Sequence, residues 1–543
     1  MIATKLYDFS MATEISITIE DIYKALKYHD LEILKHFNDD SLTDQQYLFY
    51  AINNDIISNA LFIVVNMKIG NLQTLGIDNC CRTIIEAFAV LKMIAAGDIS
   101  DEQARIFRYH YAIVDFANMR KLVNEDVKQT DDFQYVDRDR QRAYEALMSF
   151  HNCTIGDLKK DPDLDDSNFY LKKHLGERIN FATLLEKYPV FDVNEIKIYD
   201  FFSIYAHPRF EKDSKIEEAY SNLRTAYIKR VMDYIVSFLK NEKLFVFDKE
   251  VTDFEHDFFK NPILKNNVLN IKDMNRIFDS IEKKICFFDE GYDSFTLFFL
   301  EKMRSLIADM EVSITLGYRE HIISIFKSAI EYIALYSTIN ECCSLEDFKK
   351  IKLAYCYSSR LQIDNLMLPK DFLEEAGLPS SLIDDTVLEL RPLFDGYYKE
   401  KYELDNFEYF LDKIRNRARY FLSKDNGSYN SFVNKLLDDL YSDKRESEFI
   451  KMIYKISKDM NHGGGYSFNS SPGLIDSQCR HVQNTIYRYM YKMLAFFWLT
   501  LKEHGKEVDL TIELKYFEVL SSIEQNEIDK INNEYFEKRK KLA

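Results

Sequence analysis

Two stretches decide the fold, Arg82-Thr-Ile-Ile-Glu86-Ala-Phe-Ala-Val-Leu91 and Lys327-Ser-Ala-Ile-Glu331-Tyr-Ile-Ala-Leu-Tyr336. Each places a basic residue four positions before a glutamate in an otherwise apolar run. Residues four apart lie on one face of an α-helix, so each stretch predicts a helix that carries an ion pair among apolar side chains. The two glutamates are 245 residues apart. Similarity at a fixed spacing is the mark of an internal repeat.

Two more pairs of segments match in the same order along the chain. The first pair is 252 residues apart and the second is 255 residues apart, close to the spacing of the charged helices. Three matches at nearly one offset predict two diverged copies of one domain, at residues 15–243 and 268–505. In the first pair, Ile19–Lys24 matches Ile271–Arg276. In the second pair, Ile198-Tyr199 followed after seven residues by His207 matches Ile453-Tyr454 followed after seven residues by His462.

Length and composition favour an all-α fold. A chain of 543 residues is too long for one ordinary core, which agrees with two domains. It contains only 8 prolines and 15 glycines, too few for the many turns of a β-rich protein. We therefore predict two tandem helical bundles, with a short lead at residues 1–14 and a linker at residues 244–267.

The C-terminal residues 506–543 are predicted to form a strand followed by a charged helix. Leu244-Phe-Val-Phe247 in the linker and Asp509-Leu-Thr-Ile-Glu-Leu514 both have the composition of β-strands, so we expect them to pair as a small β-ribbon. The final helix ends in Lys538-Arg-Lys-Lys541. A solvated end helix and a helix through which the protein forms an oligomer both fit that charge pattern.

The net charge limits the classes of partner that the protein is expected to bind. The formal net charge is −18, whereas a nonspecific nucleic-acid binder usually carries a surplus of lysine and arginine. An acidic net charge does not exclude a small basic pocket that recognises one nucleotide or one RNA loop. The most apolar stretches, Ala60–Val65 and Met493–Leu499, are far shorter than the ~20 residues of a membrane helix. We expect a cytoplasmic protein with no membrane span.

The sequence offers no motif for a metal or a cofactor. It lacks a Gly-rich phosphate loop, an HExxH, a GxSxG and a Cys/His cluster with zinc spacing, which makes the common nucleotide hydrolases improbable. Among its 8 cysteines, the adjacent Cys80 and Cys81 point in different directions on a helix and suit neither a shared metal nor a disulfide. We expect neither a metal nor a cofactor.

The charged pairs Arg82/Glu86 and Lys327/Glu331 fit two interpretations. Their apolar surroundings favour a partly buried structural salt bridge in each copy. A guanidinium or an ammonium can also bind a phosphate, and arginine does so with a bidentate fork that lysine lacks. If the site recognises phosphate, we expect the first copy to hold the better site.

His207 and His462 are the candidate catalytic residues. Pro208 follows the first and Gly463 follows the second, so both histidines are predicted at the end of a helix. The helix dipole favours a cation there, and a simple helix cap is the alternative to a functional role. Four polar residues precede the histidines and complete the candidate ligand- or phosphate-binding set, namely Tyr199, Ser203, Tyr454 and Ser457.

The order of these motifs resembles a bacterial family of unknown function near the HEPN superfamily. The motifs are an Arg-x-x-x-Glu helix and then Tyr-(seven residues)-His-Pro with a serine four before the histidine. The likeness covers most of the first copy and, more weakly, the second. The usual HEPN signature, an arginine a few residues before the histidine, is absent before His207, and Lys458 takes its place before His462.

The resemblance implies a helical bundle and an active site where two such domains meet. Many HEPN-type proteins are metal-independent ribonucleases of toxin, abortive-infection and CRISPR systems. For this chain it implies an RNA-cleaving effector of a defence or toxin system, with a protein partner in a defence operon. The residues leave two alternatives open, a non-catalytic module that binds a nucleotide, a peptide or a phage protein, and a purely structural scaffold.

Overall fold

A computed structural model describes residues 17–36, 42–70, 74–101, 103–105, 116–158, 181–189, 195–205, 211, 214–241, 262–285, 292–342, 356–362, 374, 377–379, 381–417, 429–461, 472–503, 505, 507–521, 528–530, 532–534 and 537. Within these residues, 87% are helical and none lies in a β-strand. The predicted all-α class is therefore confirmed.

In its described residues, the first half of the chain, up to residue 241, contains five long helices and a run of short ones. The second long helix shows why the boundaries fall where they do. Its first turn is closed by Thr43 and Gln46, whose side chains each accept the other's backbone N–H, and it ends at Gly70, whose φ of 76° glycine adopts without strain. The helices are α1 (Ile19–His36), α2 (Asp44–Ile69), α3 (Leu75–Ala95), α4 (Phe116–Met119), α5 (Glu125–Lys128), α6 (Asp131–His151), α7 (Ile155–Leu158), α8 (Phe181–Lys187), α9 (Glu195–Tyr205) and α10 (Ser214–Asn241).

The second half, from residue 262, has the same sequence of long helices with another set of shorter ones between them. A π-helical turn at Phe394–Tyr398 interrupts the shorter set. The helices are α11 (Pro262–Ile285), α12 (Tyr292–Leu316), α13 (Glu320–Cys342), α14 (Leu382–Leu393), α15 (Lys399–Lys401), α16 (Phe407–Arg417), α17 (Tyr429–Leu440), α18 (Lys444–Met460), α19 (Pro472–Glu503) and α20 (Thr511–Ser521).

Corresponding helices pack in the same pairs in both halves. In the first half α3 packs against α2, α9 and α10, and α1 packs against α2. In the second half α13 packs against α12, α18 and α19, and α11 packs against α12. The charged helices predicted from the sequence, α3 and α13, are thus the central helices of the two halves.

Buried apolar side chains from both halves join in one continuous core. The halves meet where α3 packs against α12 and α13, and where α2 packs against α12. We call this contact of α2 and α3 with α12 and α13 the seam. Because the central helix of each half lies at the seam, one face of α3 and one face of α13 contact the opposite half.

Each half also carries an excursion between its charged helix and its Tyr/His element. We call residues 116–158 the first arm and residues 356–417 the second arm. The second arm has a small core of its own, separate from the main one. That core consists of Leu361, Leu390, Phe394, Tyr398, Tyr402, Leu404, Phe407, Phe410, Leu411 and Ile414.

The predicted β-ribbon is wrong in the part of it that can be compared. Residues 511–514, expected in a strand, form the first turn of α20, whereas Leu244–Phe247 lies outside the described residues. Asp509 accepts the Thr511 N–H at 2.9 Å and so starts the helix. Leu510, Leu514 and Phe517 are buried at spacings of four and three, the period of a helix that packs on α19.

One helix, α2, has the length and the apolar composition of a membrane span. Its most apolar window is, however, 78% buried inside the protein, as expected for a core helix. Among the residues that the structure describes, α2 is the only helix with that length and composition. The expected absence of a membrane span stays a prediction.

Candidate functional site

The centre of the seam is formed by matching positions of the two central helices. Arg82 is the eighth residue of α3 and Lys327 is the eighth residue of α13. They lie close enough for the Arg82 guanidinium to help lower the pKa of Lys327. Beside them, Asn79 Nδ2 donates to Ser328 Oγ at 3.1 Å. The two helices therefore cross at the residues that the sequence comparison had aligned.

Two further contacts across the seam are reciprocal. Gly76, the second residue of α3, donates its N–H to Asp309 Oδ2 of α12 at 2.9 Å. His321, the second residue of α13, stands edge-to-face against the Phe62 ring of α2, with the ring centroids 5.5 Å apart. Asp309 and Phe62 each lie seven residues before the end of their helix. Reciprocal pairs of this kind are the geometry of a two-fold interface.

The first half contributes an ion pair and a tyrosine to this centre. Arg82 Nε donates to Glu86 Oε1 at 3.1 Å, and the guanidinium lies 5.5 Å from the centroid of the Tyr199 ring. Burial alone would lower the pKa of Arg82. Glu86 and Tyr199, whose hydroxyl is hydrogen-bonded to Glu86, raise that pKa instead. Arg82 and Glu86 are only 5% and 1% exposed, so this predicted pair is a buried one.

The second half repeats the arrangement with lysine. The Tyr454 hydroxyl donates to Glu331 Oε1 at 2.9 Å, as Tyr199 does to Glu86. Lys327 and Glu331 are 4% and 2% exposed. Burial lowers the pKa of Lys327, and neighbouring positive charges lower it further, whereas Glu331 raises it. The lysine is therefore less firmly held in its charged form than Arg82 is.

The four charges balance one another. Two cations and two carboxylates are buried together, and each carboxylate also receives a tyrosine hydroxyl. A buried ion pair of this kind costs several kcal/mol to desolvate and is retained only when its hydrogen bonds are satisfied. Such a cluster can fix the register of the two halves. Because it is enclosed, it offers no exposed cation to a phosphate in the conformation described.

The two candidate serines take different positions. Ser203, one turn after Tyr199 on α9, has a buried hydroxyl for which the described residues offer no hydrogen-bond partner. Ser457 donates instead to the backbone carbonyl of Tyr454 at 2.7 Å and is fully buried. Among the described residues, neither serine therefore extends the polar network at the seam.

The candidate catalytic residues His207 and His462 lie outside the described residues. The helices that precede them both reach the cluster, α9 through Tyr199 and α18 through Tyr454. Asn461, directly before His462, is buried and donates its amide to the Ser324 carbonyl of α13 at 3.3 Å. Ser324 lies one turn before Lys327, so the end of α18 is fixed close to the cluster.

The structure adds a buried polar network that sequence reasoning missed. Burial raises the pKa of Asp309 to about 8, although the Gly76 N–H and the Thr74 hydroxyl both donate to its carboxylate. Asp78, one turn into α3, forms a buried ion pair with Arg224 of α10 at 2.6 Å. Arg224 also donates to the Thr74 carbonyl. The start of α3 is thus bound to both α10 and the opposite half.

His321 is a second residue that the sequence did not single out. Within the described residues, both of its ring nitrogens are buried without a hydrogen-bond partner, and burial lowers its pKa to about 4. It is therefore a neutral ring that packs against Phe62. His321 is the second residue of α13, as Gly76 is the second residue of α3. This correspondence is the one feature of the sequence that could have identified it.

No metal centre is visible in the described part of the chain, where no group of three His, Cys, Asp or Glu side chains has the geometry to hold an ion. Cys80 and Cys81 are free, buried thiols whose pKa burial raises. Comparison with models of protein families, with curated proteins and with solved structures found no match to this chain.

Proposed function

We propose that the chain is a tandem duplication of a HEPN-like helical domain that cleaves RNA without a metal at the pseudo-two-fold seam between its copies. The observation that carries this proposal is the meeting of Arg82 and Lys327 at matching positions. The helices that lead to His207 and His462 both reach that point. A fused pair of this kind would supply in one chain what two separate domains supply in a dimer.

The packing of the helices supports the duplication. The same pairs of long helices pack in both halves, and the contacts across the seam are reciprocal. A protein that folds as a symmetric pair brings matching residues together at its two-fold axis. Under this proposal, an internal duplication supplies two copies of one candidate residue, His207 from the first half and His462 from the second.

The chemistry assigned to the histidines is general acid–base catalysis. One imidazole accepts the proton of the ribose 2′-hydroxyl, which attacks the adjacent phosphate, and the other imidazolium protonates the departing 5′ oxygen. An ordinary histidine pKa near ~6.5 allows both protonation states at neutral pH. The products are a 2′,3′-cyclic phosphate and a free 5′-hydroxyl.

The cluster around Arg82 and Lys327 is assigned a positioning role. Its charges are compensated by Glu86 and Glu331 and are buried, so it holds α9 and α18 against the seam. The helix ends that follow Tyr199 and Tyr454 are thereby kept at a fixed distance from each other. Direct stabilisation of phosphate charge by Arg82 would require the cluster to open.

The test is RNA cleavage in the presence of EDTA. End-labelled RNA is incubated with wild-type protein and with the His207→Ala/His462→Ala double variant, and the product ends are analysed. A matched control is His36→Ala, at the end of α1. Cleavage with cyclic-phosphate ends by the wild type and the control, but not by the double variant, supports the proposal. Absence of cleavage by the wild type, or equal cleavage by the double variant, refutes it.

A non-catalytic binding role is the second candidate, and two observations favour it. The cluster is fully enclosed, and the chain carries a net charge of −18, which weakens an encounter with RNA. In that case the seam would respond to a nucleotide, a peptide or a phage protein without turnover. The same RNA assay separates the candidates, because a binding module leaves the RNA intact.

A further inference from the structure

Helix α6 of the first arm presents a tyrosine and two arginines on one outward face. Tyr135, Arg138 and Arg142 follow one another at spacings of three and four residues, which place them on one side of the helix over a length of roughly 10 Å. Tyr135 is 55% exposed, and both arginines are exposed. We call these three residues the stripe. The opposite side of α6 belongs to the main core, through Phe133, Val136, Ala143, Tyr144 and Leu147.

The two arginines of the stripe carry charge that no described residue neutralises. Arg138 donates from Nε to the Gln134 carbonyl of its own helix at 3.3 Å, and neither Arg138 nor Arg142 forms an ion pair within the described part of the chain. Arg140, which lies between them in sequence, is bound instead to Asp137 at 2.8 Å. The outer ends of both stripe arginines are therefore available to an anion.

The ring of Tyr135 is also free to bind a ligand. Among the described residues it has no hydrogen-bond partner and contacts no other aromatic ring or cation. An exposed aromatic face beside two guanidinium groups suits a nucleotide whose base stacks on the ring while the backbone phosphates contact the arginines. Because the bases of a duplex are stacked on one another, the stripe fits a single strand better than a double helix.

The acidic net charge of the protein does not prevent binding at this face. The charge of −18 is spread over 543 residues, and salt at physiological strength screens charges that are more than about 8 Å away. Next to the stripe, Arg120 and Arg140 share the one carboxylate of Asp137, at 3.4 Å and 2.8 Å. This side of the arm therefore has a local surplus of positive charge, which ends at the exposed Glu145 one turn beyond Arg142.

The second arm carries its charges differently. Arg360 is buried and bound to Glu211 of the first half, from Nη2 to Oε1 at 2.8 Å and from Nε to Oε2 at 3.0 Å. The exposed tyrosine of this arm, Tyr409, is 45% exposed, but the Lys413 ammonium lies 4.8 Å from the centroid of its ring and the exposed Asp412 is close in sequence. Tyr409 thus supplies a matched control, a helical tyrosine of similar exposure whose ring is already in contact with a cation.

We infer that the stripe on α6 binds single-stranded RNA, with Tyr135 stacked on a base and with Arg138 and Arg142 bound to backbone phosphates. The choice of RNA rests on the proposed function, whereas the recognition of a base and of phosphates follows from the stripe itself. The first arm packs on the second half, α4 on α18 and α6 on α19, so the stripe is attached to the half that carries Tyr454. It holds the strand outside the seam and takes no part in the chemistry.

The test measures binding separately from cleavage. The probe is a fluorescent oligouridylate with methylated 2′-hydroxyls, which the proposed mechanism cannot cleave, and its Kd for the full-length protein is measured by anisotropy at several salt concentrations. Tyr135→Ala should raise Kd about tenfold, and Tyr135→Phe should leave it unchanged, because stacking needs only the ring. The Arg138→Gln/Arg142→Gln variant should lower the slope of log Kd against log salt concentration by about 1.4, which is about 0.7 for each lost phosphate contact. The control Tyr409→Ala should leave Kd unchanged.

Several outcomes would overturn the inference. They are no binding of the probe by the wild type, an unchanged Kd for Tyr135→Ala, an unchanged salt slope for the double arginine variant, and equal displacement of the probe by polyglutamate, which would indicate a general anion surface. The substituted side chains are exposed, so the urea midpoints of all variants should equal that of the wild type. A wild type that binds as predicted but cleaves no RNA would refute the proposed function and leave the stripe standing. Cleavage by a protein whose binding is independent of the stripe would do the reverse.

Discussion

Asp309→Asn should change how the stability of the protein depends on pH. Asp309 belongs to α12 and accepts the Gly76 N–H of α3, so it binds one half to the other. Burial raises the pKa of its carboxyl group from 3.8 to about 8, with the two hydrogen bonds acting in the opposite direction. Asparagine has almost the same size and keeps an oxygen that can accept the Gly76 N–H, but it cannot ionise.

The sign and the size follow from linkage. Between pH 4 and pH 8 the folded protein holds a proton on Asp309 that the unfolded chain has released, so the contribution of this group falls as the pH rises. One pKa unit corresponds to about 1.4 kcal/mol, so the loss between pH 5 and pH 7 is about 3 kcal/mol. Above pH 8 the carboxylate is ionised in both states and the loss levels off.

The assay is urea denaturation followed by circular dichroism at several pH values from 5 to 9. The free energy of unfolding of the wild type, minus that of Asp309→Asn, should fall by about 1.4 kcal/mol per pH unit up to pH 8. Other buried carboxyls with raised pKa, such as Glu311 and Glu320, are present in both proteins and cancel in the difference. Parallel pH profiles for the two proteins would refute this account of Asp309.

Three substitutions test the packing and the charge balance of the seam by urea denaturation. Gly76→Ala puts a β-carbon 2.6 Å from a carboxylate oxygen and should cost about 1–3 kcal/mol, whereas Gly396→Ala meets nothing within 4 Å and should be neutral or slightly stabilising. Glu86→Gln leaves a buried guanidinium uncompensated and should cost about 3–5 kcal/mol, against less than about 1 kcal/mol for Glu32→Gln in an exposed pair. Tyr454→Phe removes one buried hydrogen bond and should cost about 1–3 kcal/mol. Equal costs for Gly76→Ala and Gly396→Ala, or for Glu86→Gln and Glu32→Gln, would contradict the structure. So would an unchanged urea midpoint for Tyr454→Phe.

The sequence predicts the central helices of the seam because their signal is local. Arg82 and Glu86 are four apart in an apolar run, and the same pattern recurs at Lys327 and Glu331, which identifies two charged helices with a buried face. The tyrosines that complete each pair were also identified, but as ligand-binding residues rather than as partners of the glutamates. That role could not be read from the sequence, since Tyr454 and Glu331 are 123 residues apart.

The contacts between the halves escape sequence reasoning for the same reason. Gly76 and Asp309 are 233 residues apart, and Glu211 and Arg360 are 149 apart. The neighbouring sequence does not distinguish any of these residues, because an acidic residue that caps a distant helix has the same local sequence as one exposed to solvent. The strand predicted at residues 509–514 failed differently, since a window of six residues was too short to show the helical period that continues to Phe517.

The proposed function requires that the two halves share one catalytic site at the seam. It is tested most directly by the initial rates of RNA cleavage of His207→Ala, His462→Ala and the double variant. In a shared site the two imidazoles act in one reaction, so each single variant should be as inactive as the double variant. Single variants that each keep about half of the wild-type rate would show two independent sites and contradict the account.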